Sequence, residues 1–191
     1  AFMEFGYWQR ASNGQLNYTS LSDSIKDKIN DDEQFWGIFP FDNWILFQSL
    51  EKIYAYNIKS KVFTIINPNS TINKAFKTAN GIYFQTLKGL FEIDQGKSKL
   101  FLSHDIINKN KLITIFDTEE GLILVTQKQG IFKYKDAVLS KFQTNIDSEI
   151  EQSNIYSSQL LSDGSIALGS ISNGIFILSK EGKLIYHITQ N

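Results

Sequence analysis

A unit of about forty residues recurs along this chain, and no other feature limits its possible folds so tightly. Gly81-Ile82-Tyr83-Phe84 and Gly89-Leu90-Phe91 return as Gly121-Leu122-Ile123-Leu124 and Gly130-Ile131-Phe132, and again as Gly164-Ser165-Ile166-Ala167-Leu168 and Gly174-Ile175-Phe176. Equivalent glycines stand 40 and 43 residues apart at the first position, and 41 and 44 at the second. Each unit reads as a short apolar stretch, a turn ending in Gly, an apolar strand, a second Gly turn and an alternating strand. Four short antiparallel strands fit that length, and the period is the one expected of a β-propeller.

In the last unit, spanning 155–188, Ile155 to Leu161 is the expected innermost strand, followed by Ser165 to Gly169, Gly174 to Leu178 and Lys183 to Ile188. The unit at 111–142 runs Lys111 to Phe116, Leu122 to Thr126, Gly130 to Tyr134 and Val138 to Phe142. The unit at 72–102 runs Ile72 to Lys77, Gly81 to Thr86, Gly89 to Ile93 and Lys99 to Leu102. Asp163-Gly164 and Glu120-Gly121 are hairpin signals, because Gly accepts the positive φ of the primed turns. A divergent copy spans 34–66, with Phe35 to Phe39 as inner strand and Trp44 to Phe47 as the second. There Asn43 takes the place of the turn glycine, at little cost because Asn tolerates the left-handed region, and Lys52 takes the later place, which implies a different turn or a shifted register.

The start of the chain repeats the end of a unit. Phe5-Gly6-Tyr7-Trp8 followed by Asn13-Gly14-Gln15-Leu16-Asn17-Tyr18 parallels Asn173-Gly174-Ile175-Phe176 followed by Glu181-Gly182-Lys183-Leu184-Ile185-Tyr186. Residues 1–22 are therefore expected to form a half-blade made of a third and a fourth strand. The expected fold is all-β, a β-propeller fragment of about four four-stranded blades plus an N-terminal half-blade, forming one segment over 1–191 and an excerpt of a longer protein. An open stack of this kind exposes an unpaired edge at one end and an apolar face at the other, so a homodimer or a distorted N-terminal segment is expected.

Composition agrees with an all-β body: 42% of residues are hydrophobic and 14% aromatic, with two prolines. The 19 basic and 20 acidic side chains are spread without blocks, giving a net charge of −1. Such a balance supplies no field for nucleic acid or anionic lipid. No apolar run approaches a membrane span, and Ala1-Phe2-Met3-Glu4 does not open a signal peptide. Cysteine is absent, which removes disulfides, thiolate metal sites and a cysteine nucleophile.

The residues for chemistry are sparse. His104 and His187 lie far apart and outside any metal-ligand spacing, so both read as surface or half-buried residues and no metal site is expected. Asp31-Asp32-Glu33, Glu119-Glu120 and Glu149-Ile150-Glu151 are carboxylate clusters. Acid and base must converge on one bond, however, and clusters in turns and interblade loops read as solvated charge. No catalytic constellation and no cofactor are expected, and the glycines form turns rather than phosphate cradles. Phe91, Phe132 and Phe176 recur at one position of the third strand and are expected between blades. Of Trp8, Trp36 and Trp44, Trp36 is the candidate ligand-binding residue, placed on an inner strand near the axis, with space filling as the competing role.

Ile82-Tyr83-Phe84-Gln85-Thr86-Leu87-Lys88-Gly89-Leu90-Phe91 and its counterpart from Ile123 to Phe132 resemble the two-component-regulator propeller repeat, in which a strand ends in Gly-Thr before Gly-Leu or Gly-Ile and an aromatic. Thr86 and Thr126 match that Thr, and Ser170 stands in its place after Gly169. The N-terminal motifs Glu4 to Gln9, Tyr18 to Leu21, Glu33 to Ile38 and Phe47 to Tyr54 are similar to one subgroup, bacterial regulators with a propeller, a three-tyrosine sandwich domain, one membrane helix and a helix-turn-helix end. The chain departs from the repeat where Trp is frequent in the second strand, having Phe84, Leu124 and Leu168 instead.

The resemblance implies a periplasmic sensor segment of a signal-transduction transcriptional regulator whose parent is membrane-anchored. Its partner would be a small molecule, in relatives often glycan-derived, or a protein; no ligand residues carry over. Two other readings stand beside it: a protein-interaction scaffold without a small-molecule ligand, and a carbohydrate-active propeller enzyme, for which acid and base residues are not found.

Overall fold

The computed structural model describes residues 3–189. Its body is four antiparallel four-stranded sheets, each a meander in chain order. The first blade is β3 (Gly37–Phe41), β4 (Trp44–Gln48), β5 (Ile53–Asn57) and β6 (Val62–Ile66). The second is β7 (Lys74–Lys77), β8 (Ile82–Thr86), β9 (Gly89–Asp94) and β10 (Lys97–Leu102), and the third is β11 (Leu112–Thr118), β12 (Gly121–Thr126), β13 (Ile131–Lys135) and β14 (Val138–Lys141). The fourth is β15 (Ile155–Leu160), β16 (Ile166–Ser170), β17 (Ile175–Leu178) and β18 (Leu184–Ile188). Ahead of them, β1 (Gly6–Arg10) and β2 (Leu16–Ser20) pair as a two-stranded hairpin. The all-β propeller architecture, four blades and a half, is the one the repeat requires.

The period-2 alternation of strands places each of the first three blades between two apolar clusters, and the fourth against one. In the first blade Leu46, Ile53 and Ala55 face the second blade, where they meet Ala75, Ile82 and Phe84. The second blade turns Phe76, Tyr83 and Leu90 toward Leu112, Leu124 and Phe132 of the third, which in turn packs Ile113, Ile123 and Ile131 against Leu168 and Phe176. Phe91 and Phe132 thus lie between blades, as does Phe176. The residues flanking the hairpin cover the first blade: Phe5, just ahead of β1, stacks on Phe47 with ring centres 4.0 Å apart and meets Phe35 edge-on at 4.7 Å, and Leu21, just after β2, joins the same core. A 3-10 helix, Ser22–Lys28, adds Ile25 to that core.

The turn between the second and third strands of every blade is closed by a hydroxyl. Thr126 Oγ1 accepts from Gln129 N and donates to Gly130 O (2.9 and 2.8 Å), and Ser170 Oγ does the same with Asn173 N and Gly174 O (2.8 and 2.9 Å). Thr86 Oγ1 accepts from Lys88 N. In the first blade Ser49 holds this place, accepting from Glu51 N and Lys52 N, so the turn closes without a glycine at Lys52. At the equivalent Gly174, φ is 73° and a Cβ would collide with Ile188 O. A side chain is therefore excluded there.

Three expectations need correction. The inner strand of the first blade starts at Gly37, leaving Phe35 and Trp36 just outside it. The left-handed residue of its first turn is Asp42, at φ 49°, not Asn43. The connections between blades also contain short helices, α1 (Asp105–Lys109) and α2 (Asp147–Gln152), each burying one isoleucine completely, Ile107 and Ile150. No described helix is long and apolar enough to cross a membrane.

Candidate functional site

Trp36 projects from the approach to β3 with 65% of its surface exposed, while its backbone N–H is held by Gln48 O at 2.8 Å. The ring separates two depressions. One, about 390 Å³, is lined by Phe39, Gln48, Leu50, Asn73 and Lys74; the other, about 360 Å³, is lined by Asn30, Asp31, Asp32, Ser49 and Glu51. Leu50 is shared by both, so an exposed indole and an exposed leucine form an apolar ridge between an amide-and-amine side and an acidic side.

The support beneath the ridge is polar and buried. Glu33 accepts from Ser49 Oγ (2.5 Å), Tyr54 Oη (2.7 Å) and Asn30 N (2.9 Å). Desolvation is the main reason that the Tyr54 phenol is pushed far up, with its bond to Glu33 next. On the other side, Gln48 Oε1 accepts from Ala75 N at 3.3 Å, tying the first blade to the second. Lys74 Nζ donates to Ile113 O at 2.7 Å across to the third blade. Burial, with Lys111 secondary, lowers the pKa of that amine. The ridge is therefore carried on a network that fixes β4, β7 and β11 relative to one another, and it suits a ligand with one apolar face and polar edges.

The remaining candidates disperse. Asp31 and Asp32 are exposed, but Glu33 is buried, so that cluster is not simply solvated charge. Glu120 is ion-paired with Lys133, which lowers its pKa, and Glu151 pairs with Lys141 at 2.6 Å from α2 rather than from a loop. His104 caps α1, its Nδ1 accepting from Ile106 N at 3.2 Å, and His187 stacks on Phe176 with ring centres 4.3 Å apart. Trp44 packs in the core between the first two blades, and Trp8 is exposed on the hairpin. Among the described residues no group of His, Cys, Asp and Glu is arranged to hold a metal ion. Sequence reasoning missed Glu33, Gln48 and Ser49. Ser49 was detectable as the residue in the repeat position of Thr86 and Thr126, but Glu33 lies outside the repeat.

No family model matches the chain, and no curated protein matches it. Solved structures do. The extracellular domain of BT4673 from B. thetaiotaomicron, described as a putative hybrid two component system, is 17% identical with a TM-score of 0.62 over 83% of this chain and 22% of its own. PorZ, a surface component of the type-IX secretion system of Porphyromonas gingivalis, is 11% identical with a TM-score of 0.67 over 93% of this chain and 25% of its own. The WD40 β-propeller domain of Doa1 is 14% identical with a TM-score of 0.62 over 93% of this chain and 58% of its own. The chain thus spans about a quarter of the first two and little more than half of the third, and what it is similar to in all three is the propeller fold.

Proposed function

We propose that this chain is a sensor segment of an extracytoplasmic bacterial signalling protein, and that the ridge at Trp36 takes a polyhydroxylated small molecule of the glycan-fragment class. The observation that carries the reading is Trp36 itself. It is a large ring left bare beside two depressions, on a backbone held by hydrogen bonds, with Asn73, Lys74, Asp32 and Glu51 at hand for hydroxyls. Such a ring is a platform for the apolar face of a sugar. Likeness to the extracellular domain of a putative hybrid two component system supports a place outside the cytoplasm, and the resemblance to the regulator propeller repeat adds an output through a transcriptional regulator in a membrane-anchored, periplasm-facing parent. Signalling would follow from unequal affinity for two arrangements of the inner strands, since Lys74 and Gln48 join the ridge to the next blades.

The test is isothermal titration of the chain against a panel of mono- and oligosaccharides. A saccharide that binds should lose about tenfold or more with Trp36→Ala, on the order of 1–2 kcal/mol for a lost stacking surface, while the melting temperature stays unchanged. Binding that survives the substitution, or no binding across the panel, would move the site elsewhere.

A further inference from the structure

Successive blades meet in one register, and the side chains that fill the contact differ from pair to pair. Phe84 pairs with Phe91, and Leu124 with Phe132, so Tyr83 of β8 and Ile123 of β12 hold the same place, each facing the following blade. From the facing side, Tyr134 of β13 and Leu178 of β17 correspond, since they pair with Leu122 and Ile166. Between the second and third blades the rings of Tyr83, Phe101 and Tyr134 follow one another at 5.0 and 5.1 Å. Between the third and fourth blades both phenols give way to aliphatic side chains, Ile123 and Leu178, and a groove of about 560 Å³ lies there.

The groove has an apolar floor and a charged rim. Ile123 and Phe142 of the third blade and Leu160 and Ile166 of the fourth form the floor. The rim is carried on two turns that are held in place. On the third blade Thr118 Oγ1 donates to Gly121 O at 2.7 Å and accepts from Glu120 N at 3.3 Å, in the turn that presents Glu119 and Glu120. On the fourth, Ser179 Oγ donates to Glu181 Oε2 at 2.9 Å, and Gly182 O accepts from Asn145 N at 3.2 Å, which anchors the turn bearing Lys180 and Glu181 to the connection between the blades. The charges do not cancel. Lys133 pairs with Glu120, and Lys180 lies 3.9 Å from Glu181, which leaves Glu119 exposed and without an ion pair among the described residues.

We propose that the groove between the third and fourth blades binds the N-terminal end of a short apolar peptide, its side chains on the Ile123–Ile166 floor and its free ammonium at Glu119. Charge complementarity selects the occupant: three carboxylates against two ammonium groups favour a ligand with one positive charge. Lys133 and Lys180 offer only donors, which the carbonyls of a peptide accept and a plain amine cannot. The volume lies within the roughly 300–1,000 Å³ of small-molecule sites. The assignment does not rest on the saccharide reading, because the Trp36 ridge belongs to the first two blades.

Isothermal titration with leucyl-phenylalanine amide, its N-acetyl form and 2-phenylethylamine tests it. The free-amine peptide should bind, the acetylated peptide about threefold more weakly for want of a charge facing an exposed carboxylate, and 2-phenylethylamine not measurably. Glu119→Gln, at an exposed site, should erase the preference for the free amine and leave the melting temperature unchanged. Ile123→Tyr, which puts back the ring that the second blade has at Tyr83, should abolish binding of both peptides, with circular dichroism and thermal melting to check its fold. If the tyrosine is not accommodated, Glu119→Gln still decides. Trp36→Ala should leave peptide binding intact, and a loss there would put the peptide on the ridge instead. The proposal is overturned if the free-amine peptide does not bind, if acetylation or Glu119→Gln makes no difference, or if folded Ile123→Tyr binds as the wild type does. Equal binding of 2-phenylethylamine would overturn the peptide as occupant in favour of a simple amine.

Discussion

Glu33 is only 7% exposed, and it holds a carboxylate where an unpaired charge is strongly destabilising. Three donors offset that cost: the Ser49 hydroxyl, the Tyr54 phenol and the Asn30 N–H. Two of these residues have other tasks, since Ser49 closes the β4–β5 turn and Tyr54 Oη also reaches Lys28 O at 3.1 Å. The carboxylate thus joins the segment after the 3-10 helix, the turn and the third strand of the first blade. Glu33→Ala should destabilise the chain by about 2–4 kcal/mol, because it leaves buried donors without an acceptor, and Glu33→Gln by about half as much, because its amide can face only some of them. Urea unfolding at constant m-value is the measurement, and a change within experimental error for both variants would mean that water replaces the carboxylate. Nothing in the residue types around Glu33 foretells this. The run Asp31-Asp32-Glu33 looks uniformly solvent-facing in sequence, and only the fold shows that the third member turns inward.

At the scale of the element, the same logic separates what was legible from what was not. Strands β8, β12 and β16 were readable because their apolar runs end in a hydroxyl with a glycine three or four residues later, and both residue types have a physical task in the turn that follows. Ser49 has the hydroxyl without the glycine, so in the sequence the fourth instance is marked by its repeat position alone, and the bonds that Ser49 Oγ accepts from Glu51 N and Lys52 N show that it does the same task. Helices α1 and α2 escaped because five or six residues do not develop a helical period, and each buries a single isoleucine. Trp36 reads from the sequence as part of the inner strand, yet it stands one residue ahead of β3, because a strand boundary leaves no mark on the sequence.

The join between blades is likewise visible only in three dimensions. Gln48, Gln85, Val125 and Gly169 share one repeat position, and the two glutamines use it differently from the other residues. Gln85 is fully buried; its Nε2 donates to Ile107 O and Asn110 O at 2.6 Å each, and its Oε1 accepts from Leu112 N at 2.9 Å. Gln85→Val, the residue that the third blade has there, should cost about 2–4 kcal/mol because three backbone groups at the α1–β11 connection lose their partner. Thr126→Val, which removes one hairpin hydroxyl bonded only within its own blade, should cost about 1–2 kcal/mol. If the two variants melt alike, the glutamine clip does not hold the second and third blades together.

For the whole molecule, coverage by neighbours sets the order in which parts open. The second and third blades are packed on both faces, whereas the hairpin strands are exposed on both and the fourth blade has one face against a neighbour and one largely bare. In a series of units that each contact only their neighbours, stability is close to a sum of unit and interface contributions, so units with one interface open at lower free energy. Amide hydrogen exchange followed by mass spectrometry should therefore find the slowest exchange in β8, β9, β12 and β13, and faster exchange in β1, β2 and β18. Equal protection throughout at high dilution would mean that the blades open as one unit and that interface count does not govern them.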